Sequence, residues 1–154
     1  MNSKEFAQQY LLLEVEKMKA ADVRLHLLSA MVHGIETAGA LLDTMPFKAK
    51  GQGKKRFVLA LNRLFPSIYM EAGMKLDLYG LLRSHMSHCM LPAKQIHVSD
   101  ELQHLHYSDE VMNISIESFY HDYHRAITDL VGQLETGKLK NKKIQFDNLD
   151  PIKK

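Results

Sequence analysis

The chain has 154 residues, of which 45% are hydrophobic and 25% charged, enough for one soluble domain with a real core. Its single cysteine, Cys89, excludes an internal disulfide and suits a reducing compartment. The start, MNSKEFAQQY, lacks the apolar core of a signal peptide, and no run approaches the ~18 apolar residues of a membrane span, so a cytoplasmic location is expected.

Ser3 is placed to cap a first helix with Phe6, Tyr10, Leu13 and Met18 along its inner side. The apolar phase shifts around residues 19–22. A second stripe of Leu27, Leu28, Met31, Ile35, Ala38 and Leu42 then runs to about Asp43. With no Gly or Pro between them, one kinked helix and two separate helices are both open. Pro46 ends the segment. Residues 48–56, KAKGQGKKR, carry five positive charges and no acid. Their GQGKK fails as a phosphate loop, since Lys48 and Lys55 stand where Gly and Ser or Thr are needed. A third helix is expected from Lys54 to Phe65, with Phe57, Leu61 and Leu64 inward, and a short helical turn from Pro66 to Ala72.

Lys75 to Leu91, KLDLYGLLRSHMSHCML, reads as the central helix. Leu78, Leu82, His85, Met86 and Cys89 form its core stripe. The other side carries Gly80, Arg83, Ser84, Ser87 and His88. Gly80, Ser84 and Ser87 at i, i+4 and i+7 leave a shallow floor. Arg83 and His88 stand on its two rims, about 140° apart in α-helical geometry. Short strands are expected at Gln95–Val98, Leu102–Tyr107 and Val111–Ile114, with turns at Ser99-Asp100 and Ser108-Asp109. Ser115 or Ser118 caps a last helix to about Glu135, and Gly137 stops it. The fold class expected is mainly α: an antiparallel four- to five-helix bundle with a small β-hairpin inserted before the last long helix. Residues 1–137 form that single domain. Residues 138–154 form a basic tail with Ile144, Phe146 and Leu149 as apolar anchors, and with six lysines against Asp147 and Asp150. Two basic stretches on an otherwise acidic body suit a polyanion.

Three pairs of possible metal ligands stand at short spacing: His85 with Cys89, His121 with His124, and His104 with His106. A core histidine and a buried thiol explain the first without a metal, and no HExxH or CxxC is present, so neither metal nor cofactor is expected. His26 and His33 read as packing or interface residues, and the nine methionines as core filler.

The segment Leu78-Tyr79-x-x-Leu82-Arg83-x4-His88 resembles the motif helix of the HEPN superfamily, whose signature is Arg-x4–6-His. Ile35-Glu36-Thr37-Ala38-Gly39 and Phe119-Tyr120-x-Asp122-x-x-x-Ala126 are similar to neighbouring helices of that group, so the resemblance covers roughly residues 20–135. It implies an all-helical, often dimeric protein. It also implies a metal-independent endoribonuclease of toxin or defence type, with His88 as general acid or base and Arg83 stabilising the phosphate. Ser84 would adjoin them in the catalytic set, and Tyr79, Gly80, Ser87, Lys54, Lys55 and Arg56 would serve in binding RNA. Active members usually carry Asn, Asp or His directly after the arginine, where this chain has Ser84. The alternative is a non-catalytic interaction or nucleotide-binding module using the same groove.

Overall fold

The computed structural model describes residues 1–145; the expected anchors Phe146 and Leu149 lie outside them. The protein is mainly helical with a small three-stranded sheet. Helix α1 covers residues 3–20, with a π-helical stretch at Ala7–Leu13 between two α-helical ones. Helix α2 is Arg24–Leu42, α3 Gly53–Leu64 and α4 Ile68–Lys75. Helix α5 covers residues 79–89, π-helical at Tyr79–Ser84 and α-helical at His85–Cys89. Strands β1 (Ile96–Val98), β2 (Tyr107–Ser108) and β3 (Val111–Ile114) precede helix α6, Ile116–Glu135.

Asp22 separates α1 from α2 without glycine, by taking the left-handed conformation at φ 52°. Aspartate is one of the few residues that tolerates it. The cap of α1 is Asn2, one residue earlier than expected. Its side chain accepts from Glu5 N and the Glu5 carboxylate accepts from Asn2 N, both at 2.9 Å, a reciprocal capping box. Ser3 is buried instead, its hydroxyl accepting from Lys142 N. The buried face of α1 is Ala7, Leu11 and Val15, while Leu13 is exposed. A stripe counted at 3.6 residues per turn does not carry through a helix that contains a π stretch.

Helix α2 is buried on most sides, from Leu27 through Leu42. It is the one helix among the described residues long and apolar enough to cross a membrane, and 61% of that window is buried inside the fold. Its closest neighbour is α3. A Cβ built on Gly39 would lie 2.0 Å from the carbonyl oxygen of Arg56, so glycine is what lets the two backbones approach.

The central helix starts later than expected. Leu76 is extended (φ −139°, ψ 148°), which ends α4 at Lys75 and starts α5 at Tyr79. Leu78, Leu82 and Met86 are buried as the stripe requires. His85 is half-buried and Cys89 exposed, because Met90 turns left-handed (φ 62°) and closes the helix there.

In the sheet, β1 runs parallel to β3 and β2 antiparallel to it, in the order β1-β3-β2. The strand expected over Leu102–Tyr107 is reduced to Tyr107–Ser108. Leu105 is buried and left-handed (φ 58°), and Asn113 Nδ2 lies within 3.0–3.1 Å of the Ser99, Leu102 and Gln103 carbonyls. This wraps residues 99–105 around the Asn113 amide instead of along a partner strand. Asp109 and Glu110 are both left-handed, as a tight hairpin turn demands. Ser115 caps α6 by accepting from Ser118 N at 3.1 Å.

The packed body continues past residue 137. Ile144 is buried, and Lys142 Nζ donates to Asp43 and to the carbonyls of Ala40 and Met45.

Gly39→Ala is expected to destabilise the fold by about 1–3 kcal/mol, because the clash is with backbone that cannot swing aside. Gly132 lies inside α6 with no atom within 4 Å of where a Cβ would sit. Gly132→Ala should therefore stabilise by about 0.5–1 kcal/mol. Denaturant midpoints of the two variants should move in opposite directions.

Candidate functional site

Three helices converge around Arg83. Helix α2 supplies His33 and Glu36, the start of α3 supplies Gly53 and Lys54, and α5 supplies Tyr79, Arg83 and Ser87. Arg83 Nε forms an ion pair with Glu36 Oε2. Both atoms are buried, and the contact is an ion pair lacking hydrogen-bond alignment. Arg83 Nη1 donates to Ser87 Oγ at 2.8 Å, and Ser87 Oγ donates to the Arg83 carbonyl at 2.8 Å. The Tyr79 ring centroid lies 6.0 Å from the guanidinium carbon. No hydrogen bond from Nη2 is seen among the described residues, and the Arg83 side chain keeps 27% exposure. Nε and Nη1 are thus engaged, and Nη2 is the guanidinium nitrogen without a hydrogen bond among the described residues.

His33 completes the network. Its Nδ1 donates to the Ser29 carbonyl at 2.7 Å, and its Nε2 lies 2.9 Å from Ser87 Oγ. Ser87, at the far end of the small-residue floor, is thereby engaged within the chain. At the near end, a Cβ on Gly80 would lie 2.7 Å from Asp77 Oδ2, and Asp77 pairs with Lys54 at 3.2 Å. Gly53 is required by crowding, since its Cβ would meet Tyr79 Oη at 2.4 Å and Glu36 Oε1 at 3.2 Å.

The remaining candidates are placed differently. His88 is exposed, with no hydrogen bond or ion pair among the described residues. The α-helical angle between Arg83 and His88 does not carry over unchanged, because Arg83 lies in the π-helical turn and His88 in the α-helical one. Ser84 is half-buried, and Lys55 is exposed. Arg56 cannot serve as a surface contact for RNA. It is buried, pairs with Asp43 at 2.7 Å and donates to the Phe47 and Pro46 carbonyls. The five-charge stretch therefore offers fewer free cations than its composition implies.

Glu36 and His33 are the residues that sequence reasoning left outside the site. The available signal was Glu36 itself, the one carboxylate in the long apolar helix Arg24–Leu42. A buried carboxylate needs a cation, and the cation comes from a helix 47 positions away.

A second polar cluster was also not foreseen. Ser115 N donates to His104 Nδ1 at 3.1 Å, so His104 Nε2 carries the hydrogen and donates to Tyr69 Oη at 2.9 Å. Tyr69 Oη in turn donates to Asp122 Oδ2 at 3.0 Å. The relay joins the β insertion to α4 and α6. Burial lowers the His104 imidazole to about 4, against the opposing pull of Asp122. Burial first, then Asp122, pushes the Tyr69 hydroxyl far above its ordinary value.

No group of three or more His, Cys, Asp or Glu side chains suited to a metal comes together among the described residues. No protein family, curated protein or solved structure matches the chain.

The relay makes the fold acid-sensitive in a defined window. His104 is neutral when folded and takes up a proton more readily when unfolded, so its contribution is complete above about pH 6.5 and is lost as pH falls toward about 4. Its size is roughly 2–3 kcal/mol at most, since His104 is only partly buried. In urea titrations from pH 7 to 4.5, His104→Gln should show a lower midpoint at pH 7 and a flatter pH dependence than the unsubstituted protein.

Proposed function

We propose that the protein is a HEPN-like, metal-independent endoribonuclease with Arg83 and His88 as its working pair. The observation that carries this reading is the state of Arg83. Glu36 and Ser87 hold its guanidinium through Nε and Nη1, Nη2 has no hydrogen bond among the described residues, and an exposed histidine, unpartnered among the described residues, follows on the same helix. RNA brings its own nucleophile, the 2′-hydroxyl. His88 moves a proton to or from the reacting oxygens, and Arg83 stabilises the charge that grows on the phosphate. The reading carries with it the antiparallel bundle, the cytoplasmic location and the homodimer expected of such chains. In a dimer, the Gly80 and Ser84 end of α5 lets two copies approach, and each cleft receives an arginine and a histidine from both.

A second reading, a non-catalytic nucleotide-binding module using the same groove, draws support from two observations. Ser84 follows the arginine, and Glu36 forms an ion pair with Arg83.

Incubation with single-stranded RNA in excess chelator should yield 2′,3′-cyclic phosphate ends. Arg83→Ala and His88→Ala should each lower the rate by about 10²-fold or more. Cleavage that survives either change removes the ribonuclease reading. RNA binding without cleavage, lost in Arg83→Ala, selects the module. Light scattering at micromolar concentration should give a dimer, and Ser84→Leu should shift it toward monomer.

A further inference from the structure

Beside Tyr79 lies a half-open cavity of about 330 Å³ that the Arg83 network does not use. It sits between α3, α4 and the extended connector that follows α4. We infer that this cavity is a slot for one nucleobase of the bound RNA, an assignment that rests on the ribonuclease reading and names the part of the substrate its site would grip.

Size and wall chemistry are the first argument. A volume of this order suits a compact ligand group. The floor is apolar and buried, formed by Phe57, Leu61 and Leu78. Phe57 and Tyr79 stand edge to face at the inner end, their centroids 5.6 Å apart. Aromatic and methionine walls of this kind favour a flat, polarisable ring.

The space is also kept open. Met74 and Val58 border it and are 81% and 40% exposed. Gly73, also on the rim, has no atom within 4 Å of where a Cβ would sit.

Charge gives the third argument. The mouth carries Lys54 and Lys75 against Asp77, a net positive rim with both donors and an acceptor for the polar edge of a base. Lys54 also borders a shallower hollow with Lys55, which extends the positive surface outward. Finally, Tyr79 is a shared wall. Its ring borders the cavity on one side, and the Arg83 guanidinium lies 6.0 Å from its centroid. A base seated in the slot leaves its phosphate on the Arg83 side of the Tyr79 ring. Stacking on an aromatic ring is tolerant of sequence, so the slot grips RNA and adds a modest base preference.

The test uses the full-length protein labelled at the methionine methyls and titrated with the four nucleoside 5′-monophosphates. Ribose 5-phosphate serves as the base-free control. Met70 and Met74 signals should shift with at least one nucleotide and stay in place with ribose 5-phosphate. Val58→Trp, a rim substitution that lays an indole across the mouth, should weaken nucleotide binding about tenfold or more. Gly73→Leu blocks the mouth from the other side and should do the same, so misfolding of one variant does not decide the outcome. Equal binding of ribose 5-phosphate, or nucleotide binding indifferent to both blocks, overturns the slot. RNA cleavage that depends on His88 but keeps its KM and base preference in Val58→Trp also overturns the slot, while the ribonuclease reading stands. Nucleotide binding that is blocked by Val58→Trp in a protein that cleaves no RNA leaves the slot and removes the ribonuclease.

Discussion

The fold hangs on the carboxylate of Asp43. It closes α2, accepts from Arg56 Nε at 2.7 Å and from Lys142 Nζ at 2.8 Å, and so fastens the end of one helix, the start of the next and the returning C-terminal segment to one point. Burial alone would raise its carboxyl. The hydrogen bonds and charges of Arg56 and Lys142 outweigh that and hold it below the ordinary carboxylate value. Two cations around one partly buried acid are stable only because each also meets carbonyl oxygens: Pro46 and Phe47 for Arg56, Ala40 and Met45 for Lys142. The consequence reaches the candidate site. With Arg56 fixed here and Gly39 against its carbonyl, α3 can enter only one way, and its first residue, Gly53, arrives beside Glu36 and Tyr79.

What could be read from the sequence was local. The existence of most helices, the Ser115 cap and the Gly137 stop follow from patterns within a few residues, and the structure has them. The readings that failed depended on something elsewhere in the chain. Leu13 looks buried by period, but the π stretch shifts the face of α1 to Ala7, Leu11 and Val15. Cys89 looks buried by period, but its helix ends there. Residues 102–106 alternate like a strand, yet an amide from β3 gathers their carbonyls into a loop. In the candidate site, Arg83 and Ser87 could be singled out because their spacing on one helix is visible. The pairing of Arg83 with Glu36 and of Ser87 with His33 could not, since it is set by how α5 lies on α2.

Tyr69 shows how closely structure and candidate function are interwoven. Its hydroxyl is the middle of the His104–Asp122 relay, and its ring lines the cavity beside Tyr79. The relay fixes the ring, because a buried phenol that loses its partners would carry an unsatisfied hydroxyl. One wall of the cavity is thereby held in place without a ligand. The preorganisation comes from the β insertion, which contributes no residue to the Arg83 network.

The Glu36–Arg83 pair poses the sharper question of how a neutralised arginine can serve a phosphate. Attraction and orientation are separate tasks. A guanidinium beside a carboxylate exerts little pull beyond the screening length, about 8 Å in physiological salt. Within contact distance Nη2 can still donate directed hydrogen bonds, and a donor already held in place needs no reorganisation as charge develops on the phosphate. In the ribonuclease reading, Glu36 trades range for geometry. Long-range attraction then falls to other cations, and Lys55, exposed at the start of α3, and Lys75 are placed for it. Lys54 is partly committed to Asp77. Such a division of labour predicts unlike salt responses. Loss of Lys55 or Lys75 should weaken RNA capture and flatten its salt dependence, whereas loss of Glu36 should restore the pull of Arg83, steepen the salt dependence and depress the chemical step.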